Sequence, residues 1–145
     1  MRRQHFINEK EKNEIQQKKH QIVSPPSTDI ASEMILNVAA GLIAMGDNLE
    51  EKQNYLNTAC TAWNLSLLPE NKRDEAIDNC IEEFRKYNIN VNDEECEDLK
   101  ENYRIIIDHK IRAYPNSKKH MLGANAEFVN GEYKVNVMSF DPDKQ

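Results

Sequence analysis

The side chains that could bind a metal ion or attack a substrate are few, and their spacing does not bring them together. They are four histidines and three cysteines: His5, His20, His109, His120, Cys60, Cys80 and Cys96. No histidine lies four positions from another histidine or from a cysteine, and no CxxC pair is present. The sequence therefore predicts no metal site and no cofactor.

A cysteine–histidine nucleophile pair is excluded by helix geometry. Cys96 and His109 lie thirteen positions apart on one predicted helix, which is about 20 Å at 1.5 Å per residue. A nucleophile and its base must be within hydrogen-bonding distance. Cys60 and Cys80 fall on apolar helix stripes, where cysteine behaves as a small buried hydrophobe, and we expect all three cysteines to lie in the core. No spacing pairs two carboxylates for acid–base work, so we expect no catalytic residue.

One basic cluster is present in an otherwise acidic body. It spans the end of the last predicted helix and the segment after it, and it consists of Lys110, Arg112, Lys118, Lys119 and His120. Such a cluster predicts a binding site for an anionic partner. The alternative interpretation is structural, because cations near the C-terminus of a helix interact favourably with the helix dipole.

The charge of the chain is unevenly distributed. Residues 1–23 contain six basic and three acidic residues, a net charge of +3, and the whole chain has −6, which leaves −9 for residues 24–145. An acidic body argues against general nucleic-acid binding by the whole domain. The first alternative function is that of a nucleic-acid-associated accessory protein. It would use residues 1–23, which form a basic arm, and the Lys110–His120 patch.

Length, composition and cysteine use bound the class of protein. The chain has 145 residues with 4 glycines and 5 prolines, which fits one domain and favours long helices. An odd number of cysteines without a secretory signal suggests reduced thiols, so we expect a cytoplasmic location. The apolar stretch Ile30–Met45 is shorter than the roughly 20 residues that a membrane span needs, so no membrane partner is expected.

Apolar periodicity predicts four helices within a domain of residues 28–145. Their ranges are about 29–45, 48–67, 70–87 and 93–114. The first helix is apolar on almost its whole circumference, so most of its sides must be covered. Asp47 or Asn48 can cap the second helix, and Asn92 followed by Glu95 has the spacing of a capping box. Short connections make consecutive helices antiparallel neighbours.

The C-terminal part, about residues 122–140, has the pattern of a β-hairpin. Asn130-Gly131 is the strongest short signal for a two-residue turn. Outward from this turn, one face has apolar pairs: Phe128 with Tyr133, Ala126 with Val135, and Ala124 with Val137. The other face has polar pairs: Glu127 with Lys134, and Asn125 with Asn136. We expect the apolar face to pack on the helices, because an isolated hairpin is marginally stable.

The first 27 residues are predicted to lie outside the helical domain. Residues 1–23 form a basic arm with a thin apolar stripe, interpreted as flexible or as a lone helix. Residues 24–27, Ser-Pro-Pro-Ser, form a linker because proline interrupts a helix. The predicted fold class is therefore mainly α, a four-helix bundle-like domain with a C-terminal β-hairpin packed on it and a flexible N-terminal arm.

A small intracellular protein that binds another protein, or regulates it, without catalysis is the function that the sequence favours. The basis is the lack of a chemical motif and an excess of apolar helix surface over what a small bundle needs. The second alternative is an enzyme or small-ligand-binding module with a pocket between hairpin and bundle. Such a pocket would be lined by Tyr103, Tyr114, Tyr133 and a carboxylate with a perturbed pKa.

Self-association is a further expectation from the first helix. A homodimer would cover any face of Ile30–Met45 that the later helices leave open, and two-fold dimers are the commonest oligomers. Leu42 or Ile43 would then lie on the face that meets the second copy. Complete burial within one chain is the alternative.

Overall fold

The computed structural model describes residues 30–143 together with the backbone of Ile22–Val23. It consists mainly of helices with a C-terminal hairpin, so the predicted fold class is confirmed. The helices are α1 (Ile30–Ala44), α2 (Leu49–Ser66), α3 (Glu70–Tyr87) and α4 (Asp93–Ala113). The strands are β1 (Ile22–Val23), β2 (His120–Val129) and β3 (Glu132–Phe140).

The predicted arm and linker lie outside the described residues, except for the last two residues of the arm. Ile22 and Val23 form β1, which pairs in parallel with Tyr133 and Lys134 of β3. The sheet therefore has the order β1-β3-β2, with β3 in the centre. The sequence pattern does not reveal β1, because two residues are too few to show the alternation of a strand.

Asparagine side chains cap the N-termini of α2 and α4, as the sequence predicted. The side-chain oxygen of Asn48 accepts a hydrogen bond from the Glu51 backbone N–H at 2.9 Å. Asn92 does the same for the backbone N–H of Glu95 at 2.8 Å. Each bond satisfies a donor that has no partner within the first turn of a helix.

Contacts between the helices show how they run past one another. The ion pair of Lys100 with Asp78 at 3.0 Å joins the middle of α4 to the middle of α3. The last turns of α2 and α4 lie side by side, where Lys110 Nζ is 5.5 Å from the centre of the Trp63 ring. In the chain, α3 connects α2 to α4 and runs in the opposite direction to both. The N-termini of α2 and α4 and the α3–α4 connection therefore share one end of the molecule.

The hairpin turn lies at this same end, which we call the turn end. Near the start of α2, Lys52 Nζ lies 4.6 Å from the centre of the Tyr133 ring, and Tyr133 is the second residue after the turn. Lys52 Nζ also donates to the Ile43 carbonyl at 3.4 Å, so the C-terminus of α1 lies there as well. The free ends of β2 and β3 point to the opposite end.

The apolar helix α1 is covered within one chain. Eleven of its fifteen residues are buried, and α2, α4 and β3 provide the cover. Leu42 and Ile43, the side chains named for a homodimer face, are buried in the single chain, and the large apolar side chain of α1 that stays exposed is Ile30. The helix in contact with the most elements is α2, which packs against α1, α3, α4 and β2.

The register of the hairpin is the predicted one. All the pairs named above are observed, and Asn130 and Gly131 have φ of 53° and 80°, as a type I′ turn requires. Ala126, Val135 and Val137 of the apolar face are buried. Phe128 differs from the expectation, because at the tip of the hairpin it stays exposed and only its partner ring is half-buried.

Helix side chains satisfy backbone groups at both edges of the hairpin. The Asn64 amide of α2 donates to the Met121 carbonyl at 2.9 Å and accepts from its N–H at 2.8 Å. The Gln53 amide likewise donates to the Ala124 carbonyl and accepts from the Ala126 N–H. On β3, the Val137 N–H donates to Ser32 Oγ of α1. These bonds cover backbone groups through which an exposed edge could pair with another chain.

Candidate interaction surface

The predicted basic patch does not lie wholly at the surface. Lys110 is 3% exposed, and its Nζ donates to the Ser117 carbonyl at 3.0 Å and lies against the Trp63 ring. Burial, with a smaller effect from the guanidinium of Arg73, lowers the pKa of Lys110. The physical reason is the loss of hydration of the ammonium group. Lys110 is therefore a packing residue and does not present its charge to a partner.

The segment between α4 and β2 is held to the helices by the side chains around Lys110. The Trp63 indole N–H donates to the Lys119 carbonyl at 2.8 Å. Its ring lies 5.7 Å from the Tyr114 ring, and the Tyr114 hydroxyl accepts a hydrogen bond from the Asn37 amide. These contacts fix where β2 begins, and they position the residues that follow it.

The other four residues of the patch reach the surface to different degrees. Lys118 and His120 are exposed at the start of β2, and Lys119 between them is half-buried. Arg112 is exposed in the last turn of α4, where its Nε donates to the Asp108 carbonyl at 3.3 Å. As a site for an anionic partner, these residues stay a prediction.

Beside these residues the hairpin exposes three large apolar side chains. Leu122, Met138 and Phe140 are 66%, 67% and 42% exposed. Their chain neighbours Met121 and Val137 are buried against the helices. Because neighbouring residues of a strand point to opposite faces, the three exposed side chains lie on the face turned away from the core. We call Leu122, Met138 and Phe140 the outer apolar surface.

The outer apolar surface is continuous across the two strands. The register sets Phe140 opposite His120 and Met138 opposite Gly123. A methyl group on Gly123 would meet the Met138 Cε at 3.7 Å, so both residues face the same side. Leu122 is the extra residue of a β-bulge next to this pair.

The outer apolar surface was not predicted, although the sequence contains a signal for it. Met138 and Phe140 follow Asn136 at intervals of two, in phase with the polar face of the predicted hairpin. Extending the predicted register as far as Phe140 places the side chains of Met138 and Phe140 on the face turned to water. Leu122 could not be placed in this way, because the bulge changes the phase of β2 at that residue.

The cysteines are placed as inert side chains. Cys60 and Cys96 are buried as predicted, whereas Cys80 is only half-buried. Burial raises the pKa of Cys60 to about 12, so its reactive thiolate form is scarce at neutral pH. Within residues 30–143, no three His, Cys, Asp or Glu side chains are grouped so that they could hold a metal ion.

The three tyrosines of the predicted pocket lie in three different environments. Tyr114 packs against Trp63, and the Tyr133 ring lies 4.8 Å from the Phe128 ring at the turn end. Tyr103 is buried, and loss of hydration raises its pKa to about 12. They do not converge on one cavity, so they give no support to a ligand site between hairpin and bundle.

No helix in the described part of the chain combines the length and the apolarity needed to cross a membrane. The chain matches no family model, no curated protein and no solved structure. Its function is therefore inferred from the surface that the fold presents.

Proposed function

We propose that this protein is a small, non-enzymatic interaction or regulatory protein that binds another protein through the outer apolar surface. The observation that carries the proposal is the exposure of Leu122, Met138 and Phe140 together on the sheet face opposite to the core. Adjacent exposed apolar side chains of this kind are typical of protein-binding sites. Their removal from water on binding provides free energy that folding of the single chain does not gain.

The border of the outer apolar surface suggests the chemistry of the partner. His120 is paired with Phe140 across the strands, and Lys118 is exposed two positions before it. A partner with an apolar centre and acidic residues at its rim complements this arrangement. In this proposal the exposed part of the predicted basic patch contributes to the rim, without Lys110.

A protein partner is favoured over nucleic acid for two reasons. The body of the chain has a net charge of −9 over residues 24–145, and one of the five residues of its basic patch is buried. We propose a cytoplasmic location because the three cysteines are free thiols, as is usual in reducing compartments. A second copy of the chain is one of the protein partners that the experiment below can detect.

The test is affinity capture with the tagged full chain from a nuclease-treated lysate. Three baits are compared: wild type, Met138→Asp in the outer apolar surface, and Asn136→Asp on the same face as a matched control. We expect a protein that wild type and Asn136→Asp recover equally and that Met138→Asp loses. Equal recovery by all three baits would refute the proposed surface. Recovery of only nucleic acid in a parallel capture from lysate without nuclease, with a steep dependence on salt concentration, would favour the accessory-protein alternative.

A further inference from the structure

The connection between α3 and α4 carries the two most exposed large apolar side chains among the residues described. Tyr87 is 82% exposed and Ile89 is 86% exposed. The two side chains border a surface groove of about 340 Å³, whose remaining lining residues are Asn88, Asn90, Val91 and Glu95. The groove lies at the turn end and is distinct from the outer apolar surface, which lies towards the opposite end of the hairpin.

The surface around this groove is acidic. Residues 82–98 contain seven carboxylates and two cations. Both cations are already in ion pairs, Arg85 with Asp93 at 2.7 Å and Lys86 with Glu83 at 3.2 Å. An occupant that combines apolar side chains with positive charge therefore complements the groove and its surroundings.

Residues 1–21 have this composition and are attached at the same end of the molecule. They contain six basic and three acidic residues, and their large apolar side chains are Phe6, Ile7 and Ile15. Ile22, which follows them, lies beside Tyr133 just after the hairpin turn. Phe6 and Ile7 are about 15 residues from Ile22, and a segment of this length spans about 21 Å as a coil and at most about 50 Å when extended. The groove and Ile22 lie at the same end of the molecule, and even the full length of α3 is only about 27 Å. The groove is therefore within reach of the segment.

We propose that residues 1–21 of the same chain occupy the groove at Tyr87 and Ile89. Phe6 and Ile7 contact these two exposed side chains, and the lysines of the segment face the surrounding carboxylates. The contact removes apolar surface from water and neutralises part of the acidic end.

The experiment uses the full ¹⁵N-labelled chain and follows its backbone amide resonances. In the double variant Lys10→Glu/Lys12→Glu, the resonances of residues 86–97 should shift. The matched control Lys118→Glu reverses an exposed cation away from the turn end and should leave them unchanged. Raising the ionic strength from about 0.01 M to about 1 M shortens the Debye length from about 30 Å to about 3 Å. This change should move the same resonances in wild type and much less in the double variant.

The reciprocal substitution is made in the groove. Ile89→Asp alters an exposed side chain and should move the resonances of residues 1–21 towards their positions at high salt, whereas Leu122→Asp should not. The proposal is overturned if residues 86–97 give the same resonances in wild type and in the double variant. It is also overturned if the effect disappears on dilution together with a dimer in sedimentation, because the arm would then occupy the groove of a second copy.

Discussion

The two faces of the β2–β3 hairpin carry similar side chains in opposite surroundings. On the inner face, Val135 and Val137 are almost completely buried, and the strand edges beside them are bonded to α1 and α2. On the outer face of the same strand, Met138 and Phe140 are exposed to water. Apolar area stabilises a fold only in so far as it is removed from water.

The difference separates what holds the molecule together from what it offers to a partner. The inner face and the edges join the hairpin to the helices, so substitutions there should unfold the protein. The outer face contributes little to folding, so its apolar character calls for another explanation, and binding provides one. The four predictions that follow test this division.

The largest effect is expected from a charge placed on the inner face. Val135→Asp buries a carboxylate among apolar side chains and should cost several kcal/mol, enough to unfold the marginally stable domain. Met138→Asp makes the same kind of change on the outer face and should alter the free energy of unfolding by less than about 0.5 kcal/mol. Urea denaturation followed by circular dichroism measures both. Similar losses in the two variants would show that the outer face is part of the core.

A smaller loss is expected at the edge of β2. Asn64→Ala leaves the Met121 N–H and carbonyl without the two bonds that the amide makes, so it should cost about 1–3 kcal/mol. Asn54→Ala, an exposed position of the same helix, is the control for helix propensity and should cost none. If both variants keep the wild-type midpoint in urea, the edge bonds do not hold the hairpin.

Substitutions at the tip of the hairpin should lower the free energy of unfolding by an amount between those expected for the inner and the outer face. Tyr133 lies between the Phe128 ring and the Lys52 ammonium group and is half-buried, so Tyr133→Ala should cost about 1–2 kcal/mol. Phe128→Ala and Lys134→Ala should each cost under about 1 kcal/mol. Thermal unfolding of the three variants gives the order. A greater loss from Phe128→Ala than from Tyr133→Ala would contradict the observed packing.

The smallest effect concerns Lys110 and appears as a dependence on pH. Burial lowers the pKa of Lys110 in the folded chain, so near that pKa the unfolded chain binds more protons. Stability therefore rises with pH between the folded pKa and the unfolded value of about 10.4. The free energy of unfolding of wild type relative to Lys110→Met should increase over this range, because the variant lacks the titrating group. If the difference in unfolding free energy between wild type and Lys110→Met stayed constant with pH, the Lys110 ammonium group would be hydrated in the folded chain.

Local patterns were sufficient to predict the helices and the hairpin register. Helix caps such as Asn48 and Asn92 act within one turn, and the Asn130-Gly131 turn sets the pairing of both strands. The four predicted helix ranges differ from the observed ones by one residue or less at each end. These features depend on residues close together in the chain, which is why a single sequence reveals them.

Contacts between distant residues were not predictable in this way. Lys110 lies among the apolar positions of α4, but its contacts with the Trp63 ring and the Ser117 carbonyl, which bury it, join separate parts of the chain. Trp63 and Lys119 are bonded although they are 56 residues apart. The outer apolar surface was not predicted for a different reason, since Met138 and Phe140 lie beyond Ala124 and Val137, the last pair of the predicted hairpin.

Isothermal titration calorimetry of the captured protein against the full chain is the most direct test of the outer apolar surface. Three titrations are compared, with wild type, Met138→Asp and Asn136→Asp, each checked for the wild-type melting temperature. The dissociation constant should rise at least about tenfold for Met138→Asp, a loss of about 1.4 kcal/mol, and stay unchanged for Asn136→Asp. Equal dissociation constants for all three folded chains would contradict the assignment of Leu122, Met138 and Phe140 as the binding surface.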